Sequence, residues 1–201
     1  VKNLTMYYET IDGNVDAVKN ISFNVKAGES FGIVGESGCG KTSVAMSLLQ
    51  LQAENGKISN GSILFDGIEL VGKSENDLRK IRWDGISIVF QGAMNAWNPV
   101  VKVGEQIREA MREHSPESTK LQNTEKINEL FSMVGLDSSV ADRFPHELSG
   151  GMKQRAIIAL ALSCDPKLVI ADEPTTALDV VIQDQILSEI KKVQDLSLIH
   201  I

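Results

Sequence analysis

Cysteine is scarce in this chain: Cys39 and Cys164 are the only two in 201 residues, and they show no paired spacing. That excludes a disulfide framework and a CxxC zinc site, and it fits a reducing compartment. Long apolar runs are missing too. The longest is the seven residues from Ala156 to Leu162, against the roughly 20 that a membrane-spanning helix needs. No basic stretch followed by an apolar one opens the sequence, so no secretory signal is expected. Positive charge is also in deficit. Twenty Lys and Arg against 27 Asp and Glu leave a net charge of −7. Such a chain is a poor general binder of nucleic acid, although a local cradle on it can still be positive.

What is present is a globular composition, 42% hydrophobic and 23% charged, in a length that suits one domain or one domain with a subdomain. The first ninety residues read as strands with one helix. Ile21, Phe23 and Val25 alternate with polar residues, as in a half-buried strand. Phe31 to Val34 is a short apolar run that predicts a buried strand, and a helix is expected from Lys41 to about Gln50. Ile63, Phe65, Ile68 and Leu70 flank Asp66-Gly67, a hairpin signal. Ser74 and Asp77 have capping-box spacing, and Ile86 to Phe90 predicts another buried strand. After Gln91 the period changes. Val103, Ile107, Ala110, Met111 and His114 share one helical face. Pro116 interrupts, and Ile127, Leu130, Phe131 and Val134 make a second face stopped by Gly135. Leu168 to Ala171 returns to a buried strand, and Ile182, Ile186, Ile190 and Val193 mark a last amphipathic helix. The reading is an α/β core of residues 1–91 and 161–201 with a helical subdomain, 92–160, inserted into it.

Gly35-Glu36-Ser37-Gly38-Cys39-Gly40-Lys41-Thr42 fits G-x-x-x-x-G-K-[ST] in full, between a predicted strand and a predicted helix. Glycines let such a loop wrap with its backbone N–H groups inward, and the helix N-terminus adds to that nest. Lys41 is placed to reach the β- and γ-phosphates of a nucleotide, and Thr42 to offer its hydroxyl to Mg²⁺. Downstream, Leu168-Val169-Ile170-Ala171 is an apolar strand ending in Asp172-Glu173, where ligands sit in an open α/β sheet. Asp172 suits Mg²⁺, and Glu173 suits an attacking water beside the γ-phosphate. Leu148-Ser149-Gly150-Gly151-Met152 precedes a strongly helical stretch, and a serine with two glycines there is a second anion cradle. Either the chain binds two anions, or each cradle supplies half of a site shared across a dimer. A plain serine N-cap is the bland alternative.

In this order the phosphate loop, Gln91, the Leu148–Met152 signature, Asp172-Glu173 and Thr176-Ala177-Leu178-Asp179 resemble the ATP-binding subunit of an ABC transporter, over nearly the whole chain. The resemblance implies a P-loop NTPase fold of the ABC type, with a mainly parallel core sheet, an antiparallel β-subdomain and the inserted helical subdomain. It implies ATP and Mg²⁺ as cofactors and a head-to-tail dimer with two ATP molecules between the subunits. Ser149, Gly150 and Gly151 of one subunit would close on the γ-phosphate held by Lys41 of the other, with Ser43 beside the loop. Asp179 would couple the two sites. Gln91 would touch Mg²⁺ or the attacking water and link the site to the helical subdomain. Tyr8 matches the aromatic position that stacks on adenine, with Tyr7 as its rival. The finer resemblance is to the dipeptide and oligopeptide (peptide/nickel) importers, through Phe90 to Pro99, Arg143 to Leu148 and Ala171 to Asp179; near relatives import nickel or oligosaccharides, so the cargo stays open. It implies membrane permeases and a second ATP-binding subunit as partners, a substrate-binding protein further out, and a peripheral place on the cytoplasmic face of the membrane.

His200 follows Asp179 by only 21 residues, with no glycine turn and no strand between, so it is not assigned the family's switch role. Leu196 to Ile201 reads as non-native sequence, and Val1 in place of Met predicts a missing start. The alternative function is a soluble ABC-type ATPase of DNA repair or translation. Ser149 comes 108 positions after Lys41 with no sustained heptads between, which disfavours the coiled-coil branch. A small-molecule kinase would not need the Leu148–Met152 signature. His146 reads as a capping or surface residue, His114 as half-buried, Trp83 and Trp97 as packing residues, and Glu105, Glu109 and Glu113 as a solvated face.

Overall fold

The computed structural model describes residues 1–90, 92, 96–114, 116–174, 183, 184, 188 and 191. Gln91, Asp179, most of the expected last helix and the tail with His200 lie outside the described residues. Two compact units are present, Val1–Arg82 and Trp83–Ile201.

In the first unit, β1 (Lys2–Thr10) is the middle strand of an antiparallel sheet, between β2 (Gly13–Ile21) and β3 (Gly56–Ser62). Leu4 and Met6, two apart on β1, are completely buried, and Val18, the partner of Met6 on β2, is buried with them. This is the period-two logic of a one-sided sheet. Helix α1 (Lys41–Leu49) buries Val44, Ala45 and Leu49. It stops at Gln50, whose left-handed backbone returns its N–H to Met46 and Ser47. Strands β4 (Leu64–Phe65) and β5 (Ile68–Glu69) form the hairpin that Asp66-Gly67 announced, with φ 51° and 80° at the two turn residues. Positive φ at both is the turn that matches strand twist. Ser74 caps α2 (Glu75–Arg79) by accepting the Asp77 N–H at 3.3 Å.

Two strand expectations are corrected. Ile21, Phe23 and Val25 keep their alternation, half-buried between exposed Ser22 and Asn24, but β2 ends at Ile21. Pairing continues only where Val1 and Phe23 exchange N–H and C=O bonds at 2.9 and 3.1 Å. Phe31 to Val34 forms no strand, and Val34 is 95% exposed. An apolar run becomes a strand only when a neighbour completes its ladder. Here the Phe31 ring stacks instead on Phe23, centroids 5.0 Å apart.

In the second unit β6 (Ile86–Val89) and β7 (Leu168–Ala171) pair in parallel, from Ile86 with Leu168 to Val89 with Ala171. The expected mainly parallel sheet is thus two strands wide among the described residues, and most of the described strands pair antiparallel. A parallel pair needs a long crossover, and this one is helical: α3 (Val103–His114), α4 (Lys120–Met133) and α5 (Gly150–Leu162). Val103 and Ile107 of α3, Phe131 of α4 and Val134 just after it have no exposed surface. They share one core with Trp97, Val89 and Val169, as the two predicted helical faces require. Thr119 and Gln122 form a reciprocal capping box at the start of α4, and Gly135 with φ 66° follows its end. His114 is half-buried and paired with Asp84 at 3.3 Å. Glu109 and Glu113 are solvated as expected, but Glu105 is held by Arg108 at 2.9 Å.

Glu69 ties the hairpin to the end of β3. Its carboxylate accepts the N–H of Ile63 at 2.9 Å, that of Val71 at 3.1 Å and the Ser62 hydroxyl. Desolvation pushes its pKa up, but the bonds from Ser62, Ile63 and Val71 outweigh it and hold the carboxyl below the usual range. A depressed folded pKa gives stability that is present above the unfolded value and lost as pH falls through the folded one. Glu69→Gln is therefore expected to lower urea stability at neutral pH, by an amount that shrinks as pH falls from the ordinary carboxyl range through the depressed folded value. A loss that stays constant as the pH is lowered would contradict this.

Candidate functional site

The phosphate loop is assembled in the first unit from the glycines outward. Gly35 to Gly40 has no regular structure and leads directly into α1. The Cys39 N–H donates to the Glu36 carbonyl at 3.2 Å and folds the crown of the loop. Gly40, at φ 95°, is the N-cap of α1, and a Cβ there would stand 2.2 Å from the Ala17 carbonyl oxygen. Only glycine permits both the left-handed backbone and that approach, so the loop is pinned against β2. Ser74, Thr119 and Ser149 cap their helices with side chains, but Gly40 provides no side-chain cap. The first-turn N–H groups of α1 are thereby left for an anion.

The Lys41 ammonium donates to the carbonyls of Gly35 at 2.8 Å and Glu36 at 2.9 Å, so it lies across the loop. Glu36, Ser37, Gly38 and Cys39 are exposed, as is Thr42 one residue into the helix. Ser43 is buried, and its hydroxyl shares a 3.1 Å hydrogen bond with the Tyr8 hydroxyl at the far end of β1. Ser47 Oγ donates to the Ser43 carbonyl at 2.7 Å and stiffens the same turn. The structure therefore brings Tyr8, the expected aromatic position, onto the helix that follows the loop.

In the second unit Asp172 directly follows β7. Its N–H donates to the Val89 carbonyl at 2.9 Å, and the residue is 7% exposed. Glu173 is exposed and has φ 48°. A non-glycine residue in the left-handed region carries strain of the kind found at working sites. Ser149 is the N-cap of α5 and accepts the Met152 N–H at 3.3 Å, with Gly150 exposed and Gly151 buried behind it. The turn before it is ordered by the Glu147 carboxylate, which accepts the Phe144 N–H at 2.6 Å. His146 is exposed and stacks on Phe144, centroids 5.6 Å apart, so the surface reading of this histidine holds. Desolvation pushes the Cys164 thiol up, which favours its neutral form.

Sequence reasoning missed two positions. The Ala17 carbonyl that fixes Gly40 is a backbone group and leaves no mark in a motif. Gln106 holds the segment from Asn98 to Val101 with its whole amide: Oε1 accepts the Asn98 N–H at 2.9 Å, and Nε2 donates to Asn98 at 3.0 Å and Val101 at 2.8 Å. No local pattern announces a glutamine whose partners lie in the preceding loop.

Gly40→Ala tests the loop geometry. The added methyl meets backbone, not a movable side chain, and the substitution should destabilise the first unit by about 1–3 kcal/mol. Chemical denaturation monitored within residues 1–82 measures it, and an unchanged midpoint would contradict the geometry.

The ABC transporter family profile matches residues 18–176. The chain is 42% identical over 197 residues to the Dipeptide transport ATP-binding protein DppD of Lactococcus lactis subsp. cremoris, covering 97% of this chain and 56% of that protein. It is 45% identical over 203 residues to the Oligopeptide transport ATP-binding protein OppD of Haemophilus influenzae, covering 96% and 60%. The chain thus spans somewhat over half the length of these relatives. Among solved structures it resembles the ATP-binding cassette MJ0796, determined as a dimer in a post-hydrolysis state bound to ADP and Pi. The TM-score is 0.84 at 30% identity, over 99% of this chain and 84% of that one. No described helix is long and apolar enough to cross a membrane. Profile, relatives and fold agree, and the chain belongs to the ABC transporter family, with the P-loop nucleotide-binding fold of its ATP-binding cassettes.

Proposed function

We propose that this chain is the ATP-binding and ATP-hydrolysing part of an ABC importer for di- or oligopeptides. The observation that carries the reading is the phosphate loop: an uncapped α1 N-terminus, wrapped by glycines, with the Lys41 ammonium lying across it. Gly35, Glu36, Ser37, Gly38, Cys39 and Gly40 supply backbone N–H groups to the phosphates. Lys41 supplies the fixed positive charge, Ser43 a further hydroxyl, and Tyr8 the adenine contact. Residues 1–91 and 161–201 act as the ATP-binding core, and 92–160 as the helical signature subdomain. Ser149, Gly150 and Gly151 serve the γ-phosphate of a partner subunit, and Asp179 couples the two nucleotide sites.

Mg²⁺ accompanies the nucleotide. Among the described residues no group of three or more His, Cys, Asp or Glu could hold a metal. The donors suit an ion held by a few side-chain oxygens together with phosphate oxygens: the exposed Thr42 hydroxyl, Asp172 and Gln91. When bound, the ion neutralises charge on the phosphate oxygens. Glu173 takes a proton from the attacking water, and its exposed position one residue beyond Asp172 supports that role. The peptide assignment rests on the dipeptide and oligopeptide transport relatives. The partners it implies are a second ATP-binding subunit, membrane permeases on whose cytoplasmic side the chain sits, and a substrate-binding protein that delivers cargo.

Two substitutions separate binding from chemistry. Lys41→Ala should weaken Mg-ATP binding by at least about tenfold, or about 1.4 kcal/mol, as measured by calorimetry on protein whose fold is checked by circular dichroism. Unchanged affinity removes Lys41 from the site. Glu173→Gln, in the subunit assembled with its permeases, should keep ATP affinity and lose at least about a hundredfold in hydrolysis, since an amide is a poor proton acceptor. Turnover at the parent rate would exclude Glu173 as the base.

A further inference from the structure

We propose, resting on the nucleotide reading above, that Arg82 is a positioning residue for the ATP site. It acts through α1, from the end of that helix opposite the phosphate loop.

A rod held near one end can still turn about that end. The Ala17 carbonyl fixes α1 at Gly40, and the Tyr8 hydroxyl meets Ser43 less than one turn further on. Both fastenings lie at the loop. From there α1 runs for nine residues, about 14 Å. A helix leaves its last carbonyls without donors of its own. At the far end of α1, the Met46 and Ser47 carbonyls are answered locally, by the N–H groups of Leu51 at 2.9 Å and Gln50 at 3.2 Å. Those of Leu49 and Gln50 accept instead from Arg82, from Nε at 2.9 Å and Nη2 at 3.1 Å. Arg82 comes from beyond α2, and its side chain is only 14% exposed. Its remaining nitrogen, Nη1, donates to Glu75 Oε1 at 2.7 Å.

The guanidinium is planar and presents its donors in a fixed fork. Gripping two adjacent carbonyls, it sets the direction of the helix end as well as its distance. Its charge also suits the place, because the C-terminal end of a helix is partially negative. Glu75 is 61% exposed, and an ion pair so open contributes little, so its part is to orient the guanidinium. The two ends of α1 are thus treated oppositely, with donors left open at the loop and acceptors answered at the far end. Once the far end is held, Lys41 and the first-turn N–H groups keep their aim. Such a cradle needs its donors held to within about 0.5 Å.

The test is calorimetric titration of Mg-ATP into the parent protein, Arg82→Gln, Arg82→Lys and Glu75→Gln, with the backbone amide resonances of Lys41 and Thr42 recorded before nucleotide is added. Arg82→Gln is too short to grip both carbonyls. It should weaken Mg-ATP binding at least about fivefold and shift both amides, while the amides of β1 and β3 stay in place. Arg82→Lys keeps the charge without the fork and should bind between that variant and the parent. Glu75→Gln should stay within about twofold of the parent. An arginine that only stabilised the fold would lower the unfolding midpoint and leave the affinity and the two amides of the folded protein unmoved. Parent-like affinity or unmoved amides in folded Arg82→Gln would overturn the proposal. If that variant does not fold, the same result in Arg82→Lys would overturn it. A parent protein that binds no Mg-ATP would overturn the nucleotide reading itself, and this role with it.

Discussion

The contact between Gly40 and the Ala17 carbonyl sets the geometry of the phosphate loop. A Cβ would lie 2.2 Å from that oxygen, and the backbone is at φ 95°, so the position is closed to every residue with a side chain. Because Gly40 is also the N-cap of α1, the contact fixes where the helix begins and leaves its first turn without a side-chain cap. Lys41 is the next residue, and its ammonium then has the loop carbonyls of Gly35 and Glu36 within reach. A sheet strand, a loop and a helix are thus fastened at one point. The partial positive charge of the α1 terminus and the lysine charge thus lie at the same loop.

The second unit solves a different problem, which is to present short polar segments from a rigid base. The parallel ladder of β6 and β7 runs up to Val89 and Ala171, and one more bond, from Asp172 to Val89, holds the first acid to the sheet. Glu173 then leaves the strand direction with a left-handed backbone. The signature is presented in the same manner. Leu148 is buried, Ser149 caps α5, and the helix behind it is mostly buried from Gly151 to Leu162. In both places an ordered apolar element ends abruptly in exposed groups able to meet a ligand.

Much of this was legible in the sequence because it depends on local rules. The Asp66-Gly67 hairpin, the Ser74 cap, the Gly135 stop and the two apolar faces of α3 and α4 follow from turn chemistry and period. Phe31 to Val34 was misread because strand formation is settled by a neighbour, and composition carries no information about one. The Gln106 clamp and the Ala17 contact with Gly40 were invisible for a related reason: each joins a motif to backbone groups elsewhere in the chain. The phosphate loop, the signature and the two acids were legible as motifs, whereas the hydrogen bond between Tyr8 and Ser43 joins residues 35 positions apart and has no local pattern.

Every role proposed for this chain depends on its phosphate loop binding ATP together with Mg²⁺. The most direct measurement is calorimetric titration of the protein with ATP in the presence and absence of Mg²⁺, with adenosine as the phosphate-free comparison. Saturable binding of about one nucleotide per chain is expected, dependent on the phosphates because the loop supplies most of the charge-assisted hydrogen bonds. A folded protein that shows no saturable uptake of Mg-ATP, or that binds adenosine as tightly as ATP, would contradict it.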